Sequence, residues 1–92
     1  MKDIPFDFRP KRKNFKIEKL ENDFILYDEL KDEIFLLNES AKIVFDMCDG
    51  NFTFKEIVDI ISDTLKIDKK IILKDVKNIL NEFIKKGIVE KD

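Results

Sequence analysis

Histidine and tryptophan are absent from this 92-residue chain, cysteine and tyrosine occur once each, and there are only two glycines and two prolines. Each scarcity removes a class of function. Without histidine the commonest general base and the commonest zinc ligand are gone. A single cysteine forbids an internal disulfide, and with it a reduced, cytoplasmic setting fits best. Gly50 and Gly87 each follow a helical pattern, so no glycine-rich loop is available to cradle a phosphate. The longest uninterrupted apolar runs, residues 24–27 and 34–37, are four residues each. A membrane helix needs about 20, so neither a span nor a signal peptide is expected.

What is present is charge and apolar bulk, at 41% and 43% of residues. One domain of this length hides roughly 60–65% of its unfolded surface, and a deep catalytic cleft would consume much of its core. The acids are numerous, yet no pair has a context that would shift its pKa for acid–base work. Cys48 falls on an apolar helical stripe, as a buried hydrophobe does, and a nucleophilic role would want a basic neighbour where histidine is unavailable. The chain is therefore expected to act by binding, as a non-enzyme without a cofactor or metal.

The formal net charge of −2 is unevenly spread, because Arg9, Lys11, Arg12, Lys13 and Lys16 bring five positive charges to residues 9–16, which contain no acid. Such a segment is either a solvated terminus or an arm seeking an acidic partner. Pro5 and Pro10 favour an irregular, extended course over residues 1–14. Phe6 and Phe8, two apart, share one side of such a segment and can pin it to the body. The domain proper is expected over residues 15–92.

Strands are predicted over residues 15–20, 24–27 and 34–37. The first alternates at its start, while the other two are continuous β-forming runs separated by a polar loop. Continuous apolarity predicts that both sheet faces are covered, either by helices and the arm or by helices and a partner. Asn38 is an N-cap for a first helix carrying Ala41, Val44, Phe45 and Cys48, which Asp49-Gly50 ends. Thr53 and Glu56 form a capping box, with Phe52 and Ile57 as its staple. The second helix then buries Phe54, Ile57, Val58, Ile61 and Leu65. Asp68 caps a third helix with a broad apolar face of Ile72, Leu73, Val76, Ile79, Leu80, Phe83 and Ile84. Glu82 and Lys86 support it as an i,i+4 pair, and Gly87 stops it. Ile88-Val89 packs back on the body. The order βββααα defines an α+β domain.

The sequence Leu37-Asn38-Glu39-Ser40-Ala41, then Asp49-Gly50-Asn51-Phe52-Thr53 with Glu56-Ile57, then Asp75-Val76, Leu80 and Lys86-Gly87-Ile88-Val89 resembles the PqqD family. That family's pattern runs L-N-x-x-A, D-G-x-x-T-x-x-E-I, D-V and a leucine-bearing helix closed by G-L-V. The resemblance spans about residues 15–89. Two departures are the absence of glycine from residues 28–32, where members often have one, and a long lysine-rich approach to the third helix.

The resemblance implies a winged helix-turn-helix-like fold and the role of a RiPP recognition element. Such proteins are peptide chaperones that capture the leader peptide of a ribosomally made precursor and present it to a modifying enzyme, often a radical SAM protein. It further implies that the leader adds as an antiparallel strand to the edge formed by Glu33, Ile34, Phe35, Leu36 and Leu37. Carried onto this chain, the groove walls would be Leu73, Val76, Lys77, Leu80 and Ile84. Strand chemistry points to the same edge. A third strand in a meander is an edge strand, and one this apolar and free of proline is normally protected in a monomer. A monomer or an edge-paired dimer is therefore expected.

A winged helix also suggests a DNA-binding regulator. Residues 68–86 have six lysines against three acids, but residues 39–65 have two lysines against six acids. Helices that face phosphates are normally basic, so nucleic acid is disfavoured as a partner.

Overall fold

The computed structural model describes residues 3–90. It has three strands, β1 (Lys16–Leu20), β2 (Asp23–Asp28) and β3 (Glu33–Leu37), followed by three helices, α1 (Glu39–Met47), α2 (Phe54–Leu65) and α3 (Lys69–Lys86). The strands form one antiparallel sheet in the order β1-β2-β3. Residues 21–22 make a two-residue turn between Leu20 and its partner Asp23, with Glu21 at φ 55°. In the next loop Asp32 takes φ 55°, the left-handed role a glycine would otherwise fill. Aspartate is among the side chains that tolerate it.

The pairing register assigns a face to every sheet residue. Leu26 stands opposite Phe35, and Phe24 opposite Leu37. Leu26 and Leu37 are buried, with Phe24 and Phe35 packed against them, so this face meets the helices. Ile25, Tyr27, Ile34 and Leu36 point the other way, and Ile34 and Leu36 are 65% and 61% exposed. The expectation of a sheet covered on both faces is therefore not met within this chain.

The arm explains why, because it is spent elsewhere. Phe8 O and Phe6 O accept from the N–H groups of Phe54 (2.7 Å) and Lys55 (3.1 Å). These are donors that the first turn of α2 cannot satisfy itself. Arg12 N donates to Cys48 O at 2.7 Å and Lys13 N to Ile88 O at 3.0 Å, which stitches the arm between the α1–α2 loop and the C-terminal tail. The Arg12 guanidinium donates to Phe45 O and Asp46 O near the end of α1, and lies 5.3 Å from the Phe45 ring centroid. Phe6 stacks on Phe54 at 5.7 Å. Several of the basic side chains thus have structural partners: Arg9 donates to Asn51 O, and Lys16 pairs with Glu29.

The helix caps follow the sequence closely. Asn38 Oδ1 accepts from Ala41 N at 2.8 Å, and Asp68 Oδ1 from Lys70 N at 2.8 Å. Thr53 Oγ1 accepts from Glu56 N at 3.1 Å while Glu56 Oε1 accepts from Thr53 N at 2.9 Å. That second bond, from the Thr53 backbone, holds the Glu56 carboxyl below its ordinary pKa. A carboxylate with a depressed folded-state pKa adds stability above its unfolded value of about 4.3 and loses it as pH falls through the folded value. Thr53→Ala is expected to cost about 1 kcal/mol near neutrality. In denaturant titrations the gap between wild type and Glu56→Gln should close as pH drops below the carboxylate range.

The core gathers the sheet's inner face with Val44, Phe45, Phe54, Ile57, Ile61, Ile72, Val76, Leu80, Phe83, Ile88 and Val89. One expected member is missing, since Leu65 is 49% exposed at the end of α2. Lys66 follows it in the left-handed conformation and ends the helix. Among the described residues no helix is long and apolar enough to cross a membrane.

Candidate functional site

Hydrogen bonding within the sheet decides which backbone groups remain free. A two-residue turn makes Leu20–Asp23 a hydrogen-bonded pair, and bonding alternates from there along an antiparallel ladder. Asp23, Ile25 and Tyr27 therefore bond toward β1, whereas Phe24, Leu26 and Asp28 bond toward Leu37, Phe35 and Glu33. Ile34 and Leu36 turn their N–H and C=O groups to the open edge. Each leaves one donor and one acceptor unused by the sheet.

The β1 edge is open too but differs in chemistry. Its five exposed residues include Lys16, Glu18 and Lys19, and charges of this kind guard an edge against pairing. On β3 the only charge is Glu33.

Beside the β3 edge lies a groove of about 280 Å³. Leu36, Leu37, Asn38, Ser40 and Ala41 line it on one side, with Asn78, Ile79, Glu82, Phe83 and Lys86 of α3 and Ile88 on the other. Lys86 and Glu82 are paired at 3.9 Å along its rim. Asn78 Oδ1 is buried without a hydrogen-bond partner, a state that few native polar atoms occupy.

The α3 residues expected to wall this groove are placed otherwise. Val76 and Leu80 are 2% and 0% exposed and belong to the core. Leu73, Lys77 and Ile84 lie on the opposite flank of the helix, toward the arm, and Lys77 Nζ bonds Asp3 Oδ1 at 2.7 Å. At 100° per residue the buried face centres on Ile72, Val76, Leu80 and Phe83. Residues 73, 77 and 84 fall on one side of it and residues 75, 79, 82 and 86 on the other. The second flank is the one near β3. The apolar face of α3 is broad enough to leave the sequence neutral between its flanks, and only the position of the sheet chooses. Of the five edge residues, Ile34 and Leu36 are exposed, Glu33 is exposed, Phe35 is half-buried and Leu37 is 5% exposed.

Cys48 takes no part in this groove. Its Sγ donates to Val44 O at 3.1 Å, and burial pushes its pKa up to about 12, with the nearby Arg12 charge opposing the rise. It should resist iodoacetamide at pH 8 in the native protein and react only at the rate of unfolding. Alkylation as fast as that of a free thiol would contradict its burial.

Among the curated protein sequences none matches this chain. Among solved structures, one described as TbiB1 in complex with the TbiA(beta) leader peptide superposes with a TM-score of 0.73 at 17% identity, covering 89% of this chain and 96% of that one. The two share a fold of three strands followed by three helices. The model of the family described as coenzyme PQQ synthesis protein D (PqqD) matches residues 23–89. With that match extending over β2, β3 and all three helices, the chain belongs to the PqqD family.

Proposed function

We propose that this protein binds the leader region of a ribosomally synthesised precursor peptide by strand addition at β3 and presents it to a modifying enzyme of the radical SAM class. The observation that carries the reading is the coincidence of two features: backbone groups of Ile34 and Leu36 turned to a free edge, and an apolar groove directly beside that edge. Strand addition satisfies the first, and alternate side chains of the added strand fill the second. The leader peptide held by the TbiB1 structure supports the same role on this fold. In the groove beside β3, Ile79 and Phe83 rather than Val76 or Leu80 are the apolar α3 residues, and Asn78 offers its amide oxygen to a donor on the peptide.

The magnitudes agree. Four edge hydrogen bonds at roughly 0.5–1.5 kcal/mol each and two Leu-sized anchors at about 1.5–3 kcal/mol each give about 5–12 kcal/mol. Ordering the peptide subtracts several. A micromolar complex needs about 8 kcal/mol, which lies inside that range before ordering and near its upper part afterwards.

To test the reading, a display library of random 16-residue peptides is selected on the immobilised protein and an enriched peptide is titrated into isotope-labelled protein. Amide shifts are expected in residues 33–37 and 78–86. Shifts confined to residues 9–16, or failure to enrich any peptide, would sink the strand-addition reading. For DNA, Lys69, Lys77 and Lys86 are already paired with Asp59, Asp3 and Glu82, which depletes the lysines of α3. Elution from a polyanion column below about 0.2 M salt is expected.

A further inference from the structure

The groove beside β3 continues past α1. Ser40 and Ile79 line it and also line a second hollow of about 150 Å³ between the three helices, whose mouth includes Ile43, Leu65 and Ile67. These three aliphatic side chains are 43%, 49% and 39% exposed. Large apolar groups gathered around one opening, rather than scattered singly, mark a binding surface. An apolar space of this size takes a benzene ring, hence one Leu- or Phe-sized side chain.

The mouth is held in shape. Ser62 Oγ donates to Ile67 O at 2.7 Å and Ile67 N to Ser62 O at 3.2 Å, which fixes the corner between α2 and α3. Lys66, between them, is kept at φ 55°, a conformation that costs a lysine energy and persists only where its surroundings impose it. Asp75 also lines the hollow, is exposed, and makes no ion pair among the described residues. An unpaired carboxylate beside an apolar opening complements a cation next to an apolar side chain.

Direction follows from the strand. A peptide antiparallel to β3 has its N-terminal end at Leu37, and from there the chain leads to Ser40 and the second hollow. The α3 residues of the two spaces are centred about six apart, or about 9 Å along the helix axis. An extended peptide crosses that distance in about three residues.

We propose that this hollow is a second anchor site for the same leader peptide. It would take a large aliphatic or aromatic side chain about three residues N-terminal to the one seated beside β3, with a neighbouring Lys or Arg meeting Asp75. The proposal rests on the peptide-binding reading, and its test separates the two. An enriched peptide from the random 16-residue library is alanine-scanned. Two apolar positions three or four apart are expected, each losing about tenfold or more in affinity. In Ile43→Glu the N-terminal position should stop mattering while the other keeps its full effect. In Asp75→Lys, a surface change, the peptide's preference for Lys over Glu beside that anchor should reverse. Binding through a single apolar position, or an unchanged charge preference in Asp75→Lys, would overturn the second site while leaving strand addition standing. Failure of all peptides to bind would remove both.

Discussion

Leu36→Pro is expected to raise the dissociation constant of a groove-binding peptide at least tenfold with the domain still folded. The fold survives because the Leu36 amide is not used by β2, its cross-strand partner Ile25 being bonded to β1 instead. Proline is tolerated on an edge strand when its missing donor faces outward. Binding suffers twice, through an edge donor worth roughly 0.5–1.5 kcal/mol and through the smaller apolar surface that proline presents at the groove wall. Phe35→Pro makes the contrasting case, since that amide bonds Leu26 and its loss breaks the ladder. It should unfold or badly destabilise the sheet. Lys55→Ala on α2, absent from the lining of the groove and paired with Asp59, serves as a control and should bind like wild type. Calorimetric titration with circular dichroism on each variant reads both quantities. Equal affinities for Leu36→Pro and Lys55→Ala would count against strand addition at β3.

The different fates of residues 35 and 36 show what a sequence can carry. The strands, the caps at Asn38, Thr53 and Asp68, the capping box and the stop at Gly87 (φ 77°) all depend on neighbours a few residues apart, and these are legible. The identity of the edge is legible too, because short loops force a meander. Which backbone groups point out of that edge requires the turn at residues 21–22 and the register it imposes. The arm is harder still. Its prolines predict an extended course, but nothing local says that Phe6 O and Phe8 O serve the N-terminus of α2, or that Arg12 serves the C-terminus of α1. Those partners lie more than thirty residues away. With the arm committed there, Ile34 and Leu36 stay uncovered, which is why the continuous apolarity of β3 means an open surface and not a second buried face. The same dependence on tertiary placement leaves the groove walls on α3 open in the sequence. A helix pattern gives the centre of the buried face, but the neighbour that each flank meets is set by the sheet.

Leu80→Ala therefore serves as a test of which flank of α3 faces the peptide. Leu80 is fully buried, in a core cluster with Phe45 and Phe83, whose rings meet edge to face at 6.3 Å. Truncating such a side chain removes its transfer energy and leaves a cavity, at a combined cost of about 2–5 kcal/mol. For a domain of this size each kcal/mol lowers the melting temperature by roughly 4–8 °C, so a fall of at least about 8 °C is expected. The folded fraction should bind peptide with nearly unchanged affinity, because the truncated side chain packs only inside the core. Ile79→Ala should behave in the opposite way. Ile79 is half-buried and lines both spaces on the β3 side, so its truncation costs less stability and more affinity. Differential scanning calorimetry and peptide titration on the two variants give a two-by-two comparison that fold stability alone cannot mimic. If Leu80→Ala lost affinity in the folded state while Ile79→Ala did not, the peptide would lie against the residues that the family resemblance implies, and the groove assignment beside β3 would have to be withdrawn.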